Sequence, residues 1–452
     1  MTTLVVSPAR GPLVGSVPVP SDKSIGHRAL LFAALCRGRS TIDGFSRGED
    51  NVATANALRA MGIRIEEESP TRWIVEGKGI FGLRAPERPL DCGNSGTTMR
   101  LFAGLLAPQP FEAVLVGDAS LSRRPMARVA EPLRQRGASI EGAAHPTKSG
   151  EITAPLRVKG LPEGSYLGPL EYTMPVTSAQ VKSAILLSGL FAHGTTYVKE
   201  AMLSRDHTER MMRALGAPIR TVGTIVEIDP SGWNGEMSAF DVTLPGDISA
   251  AAFLVVAAQI VPGSKVDVRH VGVNPTRTGI VEIARDMGVA IHVSPEGDAG
   301  GEPVATIQIA PGTTRGIGIG GEVVPRAIDE IPIACALAAR ANGTTTIADA
   351  AELRVKESDR IATMIEVLRA FGVGCEERPD GLVVEGRGDR APLRAATIAS
   401  RGDHRIAMTA AVLGLVADGP TRVTDADCIA TSFPRFVGTL RALGAEVSVE
   451  KD

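Results

Sequence analysis

Basic side chains occupy the opening turns of several segments that the sequence predicts to be helices. In "PSDKSIGHRALLFAAL", Lys23, His27 and Arg28 stand at the start of an apolar run. The expected N-cap is Ser21 or Asp22. A helix N-terminus carries about half a positive charge, so each cation there is destabilised by about 0.3–1 kcal/mol unless an anion compensates. The arrangement therefore predicts that these cations bind an anionic ligand.

The same pattern recurs at four further predicted helix starts. They hold Arg100 in "CGNSGTTMRLFAGLLA", Lys182 after a Ser178 cap, the group Arg354, Lys356, Glu357, Asp359 and Arg360, and His404 with Arg405 after an Asp403 cap. One charged first turn is more often simply solvated than functional. Five of them favour a ligand with several negative charges, because free N–H groups and the helix dipole bind anions. Hydrogen bonds to ionised groups, about 1.5–3 kcal/mol each, outweigh the dipole penalty.

Other common anion and metal motifs are missing from the sequence. There is no GxxxxGK[ST] loop, which argues against a P-loop nucleotide site. The one GxGxxG match, at Gly316, Gly318 and Gly321, is followed by Pro325 and not by an apolar helix. With no HExxH and no cluster of Cys and His, we expect no metal site.

Composition restricts the class of protein further. The 452 residues carry a net charge of −3, so no general basic field for nucleic acid exists. The five cysteines are far apart and predict reduced thiols in a cytoplasmic protein. No apolar run approaches the roughly 20 residues that span a bilayer, so we expect no membrane segment.

A repeat of roughly 75 residues positions these helix starts. Six similar segments each end an amphipathic helix with a glycine suited to the left-handed C′ position and continue into an alternating strand. The glycines are Gly62, Gly137, Gly216, Gly288, Gly372 and Gly444. Each unit is expected to hold a first helix, a strand, a second helix and closing strands.

The repeats predict two lobes of three units each. The N-terminal lobe is expected over 22–245 and the C-terminal lobe over 1–21 and 246–452, with the hinge near 21–22 and 245–247. In this arrangement the first 20 residues complete a sheet of the second half. A simple break near 245, with the N-terminus remaining local, is the alternative.

Ten segments in order resemble 5-enolpyruvylshikimate-3-phosphate synthase, in particular its bacterial class II branch. They are "SDKSIGHRALLFAAL", "GNSGTTMRLFAGLL", "SLSRRPM", "SAQVKSAILLSGL", "RDHTERMM", "NPTRTG", "DEIPIACALAA", "ELRVKESDRI", "DHRIAM" and "IATSFP". The resemblance covers essentially the whole chain. It implies an α/β, two-domain enolpyruvyl transferase fold, in which each domain has three βαβαββ units around an interdomain cleft.

The resemblance also implies a reaction. The family transfers the enolpyruvyl group of phosphoenolpyruvate to the 5-hydroxyl of shikimate 3-phosphate by addition and elimination, without a cofactor or metal. The two substrates together carry about −5 at neutral pH, which fits the predicted polyanion. We expect a monomer, inhibition by the herbicide glyphosate, and neither a nucleic-acid nor a membrane partner.

The family's site residues map onto matching positions of this chain. For shikimate 3-phosphate the resemblance implies Lys23, Ser24, Arg28, Ser178, Ala179, Gln180, Arg205, Asp329 and Lys356. For phosphoenolpyruvate it implies Lys23, Gly96, Arg124, Gln180, Arg360 and Arg405, with Asn94, Thr97 and His404 nearby. The implied catalytic residues are Asp329 for the hydroxyl proton, Glu357 for the proton at C3, and Lys23. The resemblance leaves the division of proton transfer among these three residues open.

Two positions depart from parts of the family. Thr431 stands where some members have Lys, so one phosphate contact is missing or replaced. Gly96 stands where some glyphosate-tolerant relatives have Ala, and its lack of a side chain predicts a glyphosate-sensitive protein.

Two other functions compete with this one. UDP-N-acetylglucosamine 1-carboxyvinyltransferase shares the fold and the donor, but it has Asn after the first Lys and a nucleophilic Cys near the 111–124 region. Here Ser24 follows Lys23, and no Cys lies between Cys92 and Cys335. A non-catalytic anion-binding protein would not require acids at Asp329 and Glu357.

Overall fold

The computed structural model describes residues 2–162, 164–388 and 391–451. They form two compact units. The first unit comprises Ser21–Leu244 with Ala299–Glu302, and the second comprises Met1–Pro20, Pro245–Asp298 and Pro303–Asp452. Residues 1 and 452, the ends of the predicted C-terminal lobe, lie outside the described residues.

The described helices and strands alternate along the chain. The helices are α1 (Lys23–Leu35), α2 (Glu49–Ala60), α3 (Gly96–Leu106), α4 (Ala127–Gln135), α5 (Ala179–Gly189), α6 (His207–Ala214), α7 (Ile248–Ile260), α8 (Gly279–Asp286), α9 (Val323–Ala327), α10 (Ile331–Ala339), α11 (Arg360–Ala370), α12 (His404–Gly414) and α13 (Phe436–Ala442). The strands are β1 (Thr2–Val6), β2 (Val14–Pro18), β3 (Arg37–Asp43), β4 (Arg64–Glu67), β5 (Trp73–Lys78), β6 (Leu90–Asp91), β7 (Ala113–Val116), β8 (Ser139–Ala144), β9 (Ile152–Lys159), β10 (Leu170–Thr173), β11 (Thr196–Lys199), β12 (Ile219–Val222), β13 (Ile225–Ile228), β14 (Asp241–Thr243), β15 (Lys265–Gly272), β16 (Ala290–Ala299), β17 (Glu302–Ala310), β18 (Gly318–Ile319), β19 (Asn342–Ile347), β20 (Gly374–Arg378), β21 (Gly381–Arg387), β22 (Thr397–Ala399), β23 (Thr421–Thr424) and β24 (Val447–Lys451).

These strands form six four-stranded sheets across the described residues, one for each repeat. The orders are β14-β3-β5-β4, β6-β7-β9-β8 and β10-β11-β13-β12 in the first unit, and β2-β15-β17-β16, β18-β19-β21-β20 and β22-β23-β1-β24 in the second. In every sheet the strand named first, which we call the lead strand, is an outer strand that runs parallel to its neighbour. Antiparallel pairing continues the sheet beyond that neighbour. A parallel pair needs a crossover connection, and the first helix of most repeats provides it. The predicted βαβαββ repeat is confirmed.

Each unit closes through a strand that is distant in sequence. In the first unit, β14 pairs in parallel with β3, so the end of the third repeat supplies the lead strand of the first. In the second unit, β2 pairs with β15, and β1 lies between β23 and β24. The first 20 residues therefore supply two strands to sheets of the second unit.

The six repeat glycines lie at the ends of the second helices with positive φ. Their φ angles are 85° for Gly62, 102° for Gly137, 73° for Gly216, 98° for Gly288, 74° for Gly372 and 104° for Gly444. Residues with a Cβ atom avoid this left-handed region, whereas glycine adopts it at little cost. The predicted C′ role of these glycines is confirmed.

Each unit has its own hydrophobic core, and the first helix of each repeat lies within it. In the second unit, α7, α10 and α12 pack against one another, and every residue of all three is buried. Since the middle of such a helix is surrounded by apolar side chains, its polar N-terminal turn is the part available for chemistry.

One local prediction is wrong. A short helix, α9, follows the GxGxxG match and contains Pro325. Proline is tolerated in the first turn of a helix, where its missing N–H is not needed, so it did not prevent helix formation. Across the described ranges, no helix has both the length and the apolar character needed to cross a membrane.

Candidate active site

The start of α1 holds Lys23 in an ion pair. Asp22 caps the helix by accepting a hydrogen bond from the Ile25 N–H at 2.9 Å. The Lys23 ammonium lies 2.8 Å from Oδ2 of Asp50, which belongs to α2. Lys23 is thus fixed by a nearly buried carboxylate and remains 19% exposed at its side chain.

Arg28 lies one turn further along α1 and is almost completely buried. Its guanidinium donates to the hydroxyls of Thr208 at 2.6 Å and Ser183 at 2.7 Å, and to the carbonyl of Ser24 at 2.8 Å. Burial lowers the pKa of Arg28 to about 10, and the nearby cation Arg205 adds to this effect while carboxylates oppose it. Arg28 therefore stays charged at neutral pH, and the charge of Arg205 is near enough to affect its pKa.

His27 is buried and neutral. Its pKa is lowered well below the ordinary value, first by burial and then by the charges of Lys23 and Arg28. Its Nδ1 lies 2.7 Å from the Thr54 hydroxyl, which in turn lies 2.7 Å from that of Thr98 in α3. The histidine thus links α1 to the start of α3 by hydrogen bonds and adds no charge to the site.

The starts of α3 and α5 meet through Gln180. Its amide donates to the Thr97 hydroxyl at 2.8 Å, and its Oε1 accepts from Arg100 at 2.5 Å. Gly96 opens α3, and a Cβ at this position would lie 2.9 Å from NH1 of Arg100 and 3.3 Å from NH1 of Arg124. The backbone of Gly96 therefore borders two guanidinium groups that a methyl group would displace.

Arg124 is held by neighbouring side chains. Its NH2 donates to Oδ1 of Asn94 at 2.6 Å, and the Asn94 amide donates to Asp118 at 2.7 Å. Arg124 is 8% exposed. Asn94 and Asp118 therefore orient the guanidinium.

At α5, Ser178 is the N-cap and Ala179 the first helical residue, so both precede Gln180 directly. Lys182 lies in the same turn, but its ammonium is 2.7 Å from both Glu200 and Glu209 and is fully buried. The expectation that this cation binds a ligand is wrong, because two carboxylates from later segments already pair with it.

In the second unit, the guanidinium of Arg360 at the start of α11 contacts three carboxylates. Its Nε donates to Asp403 at 2.9 Å, its NH2 to Glu357 at 2.5 Å, and its NH1 to Asp329 at 3.3 Å. Burial alone would lower the pKa of Arg360, but these three acids raise it above its ordinary value. The structure thus brings the two predicted acids, Asp329 and Glu357, to one guanidinium.

Asp329 is also close to two other cations. Its Oδ1 lies 3.8 Å from the Lys356 ammonium, and its Oδ2 lies 3.8 Å from NH2 of Arg405. Burial lowers the pKa of Lys356, and the carboxylates around it oppose that shift. Asp329 is therefore a partly buried carboxylate among three cations.

Helix α12 begins with His404 and Arg405. The fully buried Asp403 is its N-cap and accepts from the Arg405 N–H at 3.0 Å. NH1 of Arg405 lies 3.8 Å from Oε1 of Glu330, a second buried acid. Thr431 ends a short helical turn, Ala426–Thr431, that packs against α12.

Sequence reasoning missed the carboxylates that pair with the predicted cations. Asp50 pairs with Lys23, and Glu330 lies near Arg405. Asp403 was expected only as a cap, yet it also binds Arg360. The interpretation that the cations lack partners until a ligand binds is wrong for Lys23 and Arg360. Among the described side chains, no three His, Cys, Asp or Glu are grouped to hold a metal ion.

Comparisons with known proteins give one consistent result. The family model for EPSP synthase (3-phosphoshikimate 1-carboxyvinyltransferase) matches residues 8–440. A 3-phosphoshikimate 1-carboxyvinyltransferase of Geobacter sulfurreducens is 50% identical over 441 residues, which cover 97% of this chain and 99% of that protein. The same-named protein of Methylococcus capsulatus is 47% identical over 439 residues, with 97% of each chain covered. A solved EPSP synthase structure from Acinetobacter baumannii superimposes with a TM-score of 0.87 at 42% identity and covers 100% of both chains.

Proposed function

This chain belongs to the EPSP synthase (3-phosphoshikimate 1-carboxyvinyltransferase) family, and from that premise we propose which of its residues carry the reaction. It transfers the enolpyruvyl group of phosphoenolpyruvate to the 5-hydroxyl of shikimate 3-phosphate and releases phosphate. Both substrates are phosphorylated carboxylates, so binding requires cations and helix N-termini, and the chemistry requires acids and bases.

The first unit would supply most of the groups that bind phosphate. Arg28 and Arg205, with Ser24 and the α5 start at Ser178 and Ala179, would bind shikimate 3-phosphate. Two phosphates of similar charge need separate sites, and the hydrogen bonds of Arg28 and Arg124 to different neighbours support that separation.

Phosphoenolpyruvate would be bound by the start of α3 and by arginines. Gly96 presents its backbone beside Arg124, while Asn94 and Thr97 hold the neighbouring side chains. Gln180 would lie near the enolpyruvyl carbon, and Lys23 would contact both substrates.

The second unit would supply the acids and bases, together with Lys356, Arg360, His404 and Arg405 around them. Asp329 would accept the proton of the 5-hydroxyl while the hydroxyl oxygen forms a bond to C2 of phosphoenolpyruvate. In the same step Glu357 would deliver a proton to C3. In the second step the bond from C2 to the phosphate oxygen breaks, and C3 returns its proton. Lys23 is a further candidate for proton transfer.

The observation that carries this proposal is the convergence of three cations on Asp329. Neighbouring cations lower the pKa of a carboxylate and weaken it as a base. Arg360, Lys356 and Arg405 all lie within 4 Å of this acid. When anionic substrates bind and compensate for the cations, Asp329 becomes a stronger base at the moment the hydroxyl is present.

The direct experiment is an assay of phosphate release from phosphoenolpyruvate with either shikimate 3-phosphate or UDP-N-acetylglucosamine. We expect release only with shikimate 3-phosphate, since Ser24 follows Lys23 and the chain has no Cys between Cys92 and Cys335. Turnover of the sugar nucleotide would contradict the proposal. Binding of both substrates without any phosphate release would favour a non-catalytic anion-binding protein.

Three further properties belong to this proposal. Glyphosate should inhibit competitively with phosphoenolpyruvate, because Gly96 leaves room beside Arg100 and Arg124. We propose a monomer, to be checked by light scattering of the eluting peak in size-exclusion chromatography. A cytoplasmic location fits the five unpaired cysteines and is testable by cell fractionation.

A further inference from the structure

Glu330 follows Asp329 directly, and its side chain is completely buried. Its Oε1 accepts a hydrogen bond from the Ser249 hydroxyl and lies 3.8 Å from NH2 of Arg277. The same oxygen lies 3.8 Å from NH1 of Arg405. We propose that Glu330 is a positioning residue that holds the guanidinium of Arg405 in the orientation that binds phosphoenolpyruvate. This inference rests on the proposed function.

The position of Glu330 is itself fixed by a buried network. NH2 of Arg277 donates to the Ser249 hydroxyl at 2.7 Å and to Oδ1 of Asp247 at 3.2 Å, and Arg277 is 2% exposed. Asp247 caps α7 by accepting from the Ser249 N–H at 2.8 Å. Buried carboxylates are stabilised by nearby cations and hydrogen-bond donors, so this network fixes the position of the Glu330 carboxylate.

Arg405 therefore has an acid on each side, and the two acids differ in exposure. NH2 lies 3.8 Å from Asp329, whose side chain is 15% exposed, and NH1 lies 3.8 Å from Glu330, whose side chain is not exposed at all. We expect a ligand to reach Arg405 from the side of Asp329, because that acid is partly exposed and Glu330 is not. In the proposed arrangement Glu330 competes with Asp329 for this guanidinium, so the proposed base pairs less strongly with Arg405.

The change Glu330→Gln tests this arrangement. Glutamine keeps the size of the side chain and an oxygen for Ser249 but removes the charge. Arg405 should then move towards Asp329. We expect the KM for phosphoenolpyruvate to rise about tenfold, within the range of coupling energies measured for contacting charged residues. The KM for shikimate 3-phosphate should change less than twofold.

A double-mutant cycle separates positioning from general damage. If Glu330 acts through Arg405, then Glu330→Gln should raise the KM for phosphoenolpyruvate little further in an Arg405→Lys background. The matched control is Glu282→Gln, which removes a carboxylate that pairs with Arg326 in the same unit. That control should leave both KM values unchanged.

Each outcome decides the inference. Any one of three results would overturn the inference. The first is an unchanged KM for phosphoenolpyruvate, and the second is an equal rise in both KM values with a lower melting temperature. The third is full additivity with Arg405→Lys. If Glu330→Gln does not fold, Ser249→Ala tests the same network with a smaller expected rise, and the same three readouts apply. A wild-type enzyme that releases no phosphate would instead refute the proposed function, so the two failures are distinguishable.

Discussion

The change Asp403→Asn should destabilise the second unit strongly, although it replaces one atom. Asp403 is fully buried, and its carboxylate accepts from Nε of Arg360 at 2.9 Å and NH2 at 3.3 Å. It also accepts from the Ser358 hydroxyl at 3.0 Å and caps α12. Asparagine is itself a good N-cap, so the helix cap survives and the loss is mainly that of the negative charge.

The expected magnitude follows from these contacts. Breaking a buried ion pair costs about 3–5 kcal/mol when it leaves a charge without compensation. Arg360 keeps Glu357 and Asp329 as partners, so we expect a loss of about 3 kcal/mol, at the low end of that range. Asp403→Ala removes the cap as well and should cost about 1 kcal/mol more.

Urea unfolding followed by circular dichroism measures this change in the free energy of unfolding. The control is Glu366→Gln, which removes an exposed carboxylate paired with Arg401 and should cost under about 1 kcal/mol. A loss below about 1 kcal/mol for Asp403→Asn would refute the assigned role of the buried pair.

The pH dependence gives a second check. Burial alone would raise the pKa of Asp403, but Arg360 lowers it below the ordinary value. The stabilisation is therefore fully present above about pH 4, the unfolded value, and is lost as the pH falls through the lowered folded value. The difference between wild type and Asp403→Asn should shrink below about pH 4, and a difference that grows there would contradict the assignment.

Three further changes test the proposed site. Gly96→Ala should raise the glyphosate inhibition constant at least about tenfold and should also raise the KM for phosphoenolpyruvate, because the new methyl group would contact Arg100 and Arg124 too closely. An unchanged inhibition constant would contradict this prediction. Asp329→Asn should lower kcat by about 10²–10⁴-fold while calorimetry still detects shikimate 3-phosphate binding, and normal turnover would exclude Asp329 as the base. Arg28→Lys should raise the KM for shikimate 3-phosphate about tenfold, since lysine cannot form all three hydrogen bonds to Thr208, Ser183 and Ser24. An equal rise in the KM for phosphoenolpyruvate would contradict the assignment of Arg28 to the shikimate 3-phosphate site.

The repeat was predictable because its signals are local. A glycine that ends a helix and the alternating strand after it lie within about a dozen residues, so Gly62 and Gly372 could be assigned without knowledge of the fold. The caps Asp22, Ser178 and Asp403 were likewise adjacent to the helices that they begin. The fold class followed from the count of these units and from the family resemblance.

The partners of the predicted cations were not predictable, because they are distant in sequence. Asp403 is 43 residues from Arg360, and Asp50 is 27 residues from Lys23. Nothing in the pattern around Lys182 distinguished it from Arg28, yet one is paired with two carboxylates and the other with hydroxyls and a carbonyl. Sequence thus identified the charged groups, whereas the fold decides which of them remain available.

The pairing of β1 and β2 with strands from far down the chain has a consequence for synthesis on the ribosome. Residues 21–244 bring nearly all of their own sheet partners with them and can assemble as soon as they emerge. The opening twenty residues must wait, since β2 needs β15, and β1 needs both β23 and the last strand, β24. Strands β1 and β2 are therefore made before residues 21–244 and yet reach their place after them.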